Sequence, residues 1–137
     1  MDDETEILLA IETLRNNPEY HAAEVMRRET PGSSAAMAGM PEGSPQRSAI
    51  QLLIGTWESI AVLADGLKKR NKIFTVTPVC HMWRELKPAV EVIRGYVPRY
   101  AENFEELNDA HEAWLKKQKK DAKYVTAVCG GLYARFG

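Results

Sequence analysis

At 137 residues, with 45% hydrophobic and 27% charged side chains, the chain is long enough for one core and too apolar for general disorder. Its 18 Lys and Arg stand against 19 Asp and Glu, a formal charge of -1, which excludes a global electrostatic pull toward nucleic acid or anionic lipid. No apolar run approaches the roughly 20 residues of a spanning helix. The acidic start Met1-Asp2-Asp3-Glu4 is unlike a basic secretory leader, so a cytoplasmic protein without a membrane partner is expected. Cys80 and Cys129 are the only thiols and lie far apart in sequence, which suits two reduced cysteines better than a disulfide framework.

The first predicted helix runs from Asp2 to Asn16, where Ile7, Leu8, Ile11 and Leu14 recur at helical spacing and acids crowd the positive first turn. Asn17-Pro18 reads as an N-cap followed by proline at the first helical position. It opens a short helix carrying Tyr20, Ala23 and Met26, which Pro31 stops. Residues 1–30 therefore form an N-terminal helical hairpin. Residues 31–45 turn to Pro, Gly, Ser, Ala and Met without an apolar stripe. They are expected to be a flexible linker, whose methionines Met37 and Met40 offer contacts to a partner groove.

Residues 46–120 read as a bundle of three long helices. Ser44-Pro45 restarts the helical signal, and Ile50, Leu53, Ile54, Trp57, Ile60, Ala61, Ala64 and Leu67 form a broad stripe expected to run to about Asn71. Gly55 and Gly66 sit inside this pattern at about 1 kcal/mol each relative to alanine. Thr77-Pro78 repeats the cap-plus-proline signature ahead of Val79, Met82, Leu86, Val90 and Ile93, with Pro88 predicted to kink the helix by leaving the Arg84 carbonyl unpaired. A last helix from about Glu102 to Lys120 carries Phe104, Leu107, His111 and Trp114 on one side. Trp57, Met82, Leu86, Leu107 and Trp114 are expected at the centre. The apolar tail, residues 121–137, has two readings: Val125, Val128, Leu132 and Phe136 suit a docked helix, while Gly130-Gly131 suits a short β-hairpin.

Trp57-Glu58 followed by Ile60-Ala61, a basic stretch, and then Trp83-Arg84-Glu85-Leu86-Lys87-Pro88 give residues 49–115 a resemblance. The segment resembles the bacterial helical family catalogued as domain of unknown function 4760. That resemblance implies an all-helical fold and no particular chemistry. Members of that family often carry membrane segments ahead of this region, where this chain has the hairpin and the glycine-rich stretch.

No catalytic signature accompanies these elements, and no cofactor is expected. His81 and Glu85, four apart on one helix, offer two metal ligands, and Asp109, His111 and Glu112 offer more. The Glu-x-x-His repeat of di-iron bundles and the His-Glu-x-x-His motif are both missing from the sequence. Cys80 precedes His81 directly, so on a helix their side chains diverge and form no dyad. Two basic clusters remain: Lys68, Lys69, Arg70 and Lys72, and Lys116, Lys117, Lys119, Lys120 and Lys123. Each is read as ending a helix, where cations complement the dipole. If the two ends converged they would form a local phosphate-binding patch.

The expected function is a non-catalytic module that binds another protein or its own copy, with Tyr124, Val128, Leu132, Tyr133 and Phe136 of the tail as self-association residues. A small regulator touching nucleic acid through the lysine-rich helix ends is the alternative. A cryptic metal protein or enzyme comes third.

Overall fold

Four helices begin where a short polar side chain precedes the apolar periodicity and accepts the first backbone N–H groups. The computed structural model describes residues 2–117. Asp2 accepts from the Thr5 N–H at 2.7 Å to open α1 (Asp3–Arg15), and Asn17 accepts from the Glu19 N–H at 2.8 Å to open α2 (Pro18–Glu29). Ser33 opens a short α3 (Ser34–Ala38), and Ser44 opens α4 (Pro45–Ala64). A 3-10 helix at Arg70–Ile73, then α5 (Val79–Arg94) and α6 (Glu102–Lys117), complete the described chain. The fold is all-α, with no strand among the described residues.

Every other α-helix packs against α4, because its apolar stripe is wide enough to be buried on several sides. Ile50, Leu53, Ile54, Trp57, Ile60 and Ala64 are almost fully removed from solvent. Each such large aliphatic or aromatic side chain stabilises the fold by about 1.5–3 kcal/mol. Trp57 stacks on Phe104 of α6 at 5.6 Å, and Trp83 of α5 meets the same ring edge-on at 5.1 Å. Of the expected central residues, Trp57, Met82, Leu86 and Leu107 are buried, while Trp114 lies half-buried at the margin.

The N-terminal helices join this same core. Ile11 and Tyr20 are buried, and the Trp57 indole N–H donates to the Tyr20 hydroxyl at 3.0 Å across the α2–α4 contact. Residues 31–45, read from composition as a flexible linker, contain α3, which packs on both α4 and α5. Met37 is 1% exposed. Small residues gave no stripe because α3 needs only one turn of buried side chains, too short for periodicity to register.

Ser34 explains why that turn lies where it does. Proline has no N–H, and its ring disturbs the helical ladder around it. Beside Pro88 the Ser34 hydroxyl donates to the Glu85 carbonyl at 2.8 Å and accepts from the Ala89 N–H at 3.2 Å. In an undisturbed helix those two backbone groups would bond each other. α5 therefore runs through Pro88 with its opened Glu85–Ala89 bond bridged by a hydroxyl from α3, and Pro88, lacking an N–H, gives the Arg84 carbonyl no helical donor.

Two further expectations are corrected. α4 ends at Ala64, not near Asn71. A Cβ on Gly66 would lie 2.8 Å from Ile7 Cδ1, so this glycine lets α1 cross closely past the end of α4, whereas one on Gly55 would meet nothing. Thr77 does not cap α5: Pro78 takes the N-cap position without a side-chain bond, and Thr77 is buried. Cys80 is buried in the first turn of α5. Cys129, the chain's other cysteine, lies outside the described residues.

Candidate functional site

Two helix starts without local caps are served from a distance. His111 of α6 is fully buried, and its Nδ1 accepts the Cys80 N–H at 3.3 Å in the first turn of α5. Its ring stacks on Phe74 at 4.4 Å with the planes 13° apart. Burial pushes the imidazole down to about 4, so it is neutral at pH 7 and suited to accept. At the start of α6, Glu58 of α4 accepts the Phe104 N–H at 2.7 Å and the Asn103 side-chain amide at 2.8 Å. Ala101, just before this helix, adopts φ 60°, a left-handed conformation that disfavours L-residues. These residues are occupied in holding the bundle together.

Of the metal-ligand candidates, His111 serves as that cap, and Glu85 pairs with Arg27 of α2 at 3.3 Å. No group of three or more His, Cys, Asp or Glu close enough to hold a metal ion exists among the described residues.

The first basic segment lies on the 3-10 helix and the turn before it rather than on a helix end. Arg70 grips Glu106 of α6 through both nitrogens, with Nη2 to Oε2 at 2.9 Å. Lys72 reaches Glu4 of α1 at 3.0 Å, and the Lys68 backbone N–H donates to the same carboxylate at 3.0 Å. Lys68 and Lys69 are exposed, as are Lys116 and Lys117 at the end of α6. Glu106 precedes Lys116 by ten residues, which is about 15 Å of helical rise. The two basic segments thus meet α6 at different heights. Lys119, Lys120 and Lys123 lie outside the described residues, as do Tyr124, Val128, Leu132, Tyr133 and Phe136.

Two surfaces remain, neither of which the sequence singled out as a unit. One is a polar cleft of about 250 Å³ between α1, α2 and the start of α5, lined by Arg15, Arg27 and Arg28 together with Glu12, Glu24, His21 and His81. Glu24 is buried and spends its carboxylate on Arg27, at 2.9 Å and 3.3 Å. Burial holds His81 below its ordinary value against the opposing pull of Glu85. These residues come from three helices, so no spacing along the chain could have gathered them.

The other surface is apolar and lies where α4 begins and α5 ends. Arg47 donates to the Tyr96 hydroxyl at 2.7 Å and to the Met40 carbonyl at 3.4 Å, which sets Met40 and Tyr96 beside one guanidinium. Its guanidinium also lies 5.8 Å from the Tyr96 ring centroid. Val92 stands one turn before Tyr96 and Val97 follows it; with Met40 these four are exposed by 36–57%. Among the described residues the other exposed large apolar side chains, Leu9, Val25, Leu52, Val62 and Val76, are spread over α1, α2, α4 and the segment before α5. Met40 was expected within a flexible linker, and Tyr96 was missed because the turn after Gly95 breaks the helical stripe.

The fold and these surfaces define an all-α helical domain in which no helix among the described residues is long and apolar enough to cross a membrane. No family model matches the chain, and no curated protein or solved structure is similar to it. In the structure Trp57 and Leu86 pack in the core, Glu58 caps α6 and Glu85 pairs with Arg27.

Proposed function

We propose that this chain is a non-catalytic, cytoplasmic interaction module that associates with a second copy of itself through the apolar surface around Tyr96. The observation that carries this reading is that Arg47 bonds both Met40 and Tyr96, with exposed Val92 and Val97 at the same end of α5, while the other exposed large apolar side chains among the described residues are spread over separate elements. Side chains scattered singly on a surface need no partner, whereas a gathered set loses water favourably when covered. Aromatic residues and arginine are also the types that dominate association energy. Exposed Glu42 lies in the same short stretch between Met40 and Arg47. A two-fold arrangement presents one surface to its own copy, and the proposed dimer places opposite charges at the margin of that surface, where they can pair across the axis.

Analytical ultracentrifugation over a wide concentration range tests the reading. The wild-type chain should show a monomer–dimer equilibrium, and Tyr96→Glu should remain monomeric with unchanged helical circular dichroism. A wild-type chain that stays monomeric at the highest concentration overturns self-association.

A further inference from the structure

We infer that the cleft between α1, α2 and the start of α5 is a binding site for a small phosphate-bearing molecule, with Arg15 and Arg28 as the residues that hold the anion. A planar guanidinium presents paired N–H donors that match two phosphate oxygens at once, and two such groups around one cleft are suited to a dianion. The cleft has three guanidiniums on its walls, and their existing partners differ in a telling way.

Arg27 is satisfied. It is held by Glu24 through two hydrogen bonds and by Glu85 at 3.3 Å, and its side chain is only 14% exposed. Arg28 approaches Glu24 only at 3.6 Å, beyond hydrogen-bond distance, and is 48% exposed. Arg15 has two contacts at the outer limit of bonding, 3.5 Å to Glu12 and 3.4 Å to the Val76 carbonyl. Two of the three guanidiniums therefore retain donor capacity toward a cleft of about 250 Å³, a space that admits a phosphate group and a small organic remainder.

Two carboxylates oppose these guanidiniums: Glu24, already spent on Arg27, and Glu12. The Glu12 carboxylate lines the same cleft, is 53% exposed, and touches Arg15 only weakly. It lowers affinity by repulsion and by competing for Arg15. Removing that charge is therefore expected to change binding in the direction opposite to removal of an arginine, which a generic loss of fold would not do. The site rests on residues separate from the Tyr96 surface, so self-association and anion binding stand or fall independently.

The test is a titration of the full chain with inorganic phosphate at low ionic strength, followed by the imidazole resonances of His21 and His81, both of which line the cleft. Saturable shifts in the millimolar range are expected. Arg28→Gln, at an exposed position where folding is not at stake, should weaken binding about tenfold, the value of one charge-assisted hydrogen bond. Arg15→Gln should do the same, and Glu12→Gln should strengthen binding about threefold, as expected for one partly screened charge. Arg99→Gln, on an exposed residue remote in sequence from the cleft, should leave the titration unchanged. Absence of saturation, or equal affinity in wild type and Arg28→Gln, overturns the site.

Discussion

Acidification should destabilise this fold in a window set by His111, before the carboxylates contribute. The imidazole is fully buried and neutral, with an ordinary value of 6.5 pushed down to about 4 in the folded chain by burial. Protonation would also remove the Nδ1 lone pair that accepts the Cys80 N–H. As pH falls below 6.5 the unfolded chain binds a proton that the folded chain refuses, so stability declines until the folded imidazole itself titrates near 4. Between pH 7 and 5 the two values give a loss of about 2 kcal/mol, and over the whole window about 3 kcal/mol. His81, also held below its ordinary value, acts in the same direction. The carboxylates whose values are lowered in the fold, Asp2, Glu4, Glu102 and Glu106, contribute stability that is lost only as pH falls below their ordinary values of 3.8 for the aspartate and 4.5 for the glutamates. Urea denaturation at pH 7, 6 and 5, analysed at constant slope, measures the effect. His111→Gln should be less stable at pH 7 and should flatten the dependence between pH 7 and 5. An unchanged pH slope in that variant would refute the assignment of the acid sensitivity to this residue.

Two other substitutions probe particular contacts. Ser34→Ala should cost about 1–3 kcal/mol in urea denaturation, because the Ala89 N–H and Glu85 carbonyl beside Pro88 lose their shared partner; a loss no larger than that of Ser33→Ala, an exposed local cap, would contradict the bridging role. Gly55→Ala should raise stability by about 1 kcal/mol, since the new methyl meets nothing within 4 Å and alanine is the better helix former; a fall in the thermal midpoint would contradict that placement.

The elements legible in the sequence share a short-range cause. Asp2, Asn17 and Ser44 cap helices whose apolar residues follow at helical spacing, and both the cap and the stripe are set by neighbours within a few positions. α1, α2, α4, α5 and most of α6 were recoverable on that basis. The short α3 was not, because its identity depends on a hydroxyl finding the opened bond beside Pro88 on a helix some fifty residues later. Thr77-Pro78 misled for a related reason: the donor that a local cap would serve is taken instead by His111. The cleft was illegible, since Arg15, Arg28 and His81 acquire a common site only when α1, α2 and α5 pack together.

Local order along this chain thus determined its helical class, most of its helix starts and the stripe on α4 that every other helix covers. Tertiary packing decided which buried polar groups complete which helices: Glu58 for α6, His111 for α5, Ser34 for the break at Pro88. Periodicity and capping preferences act over one or two turns, whereas a hydrogen-bond partner in a bundle is chosen by proximity in space, which spacing along the chain does not encode.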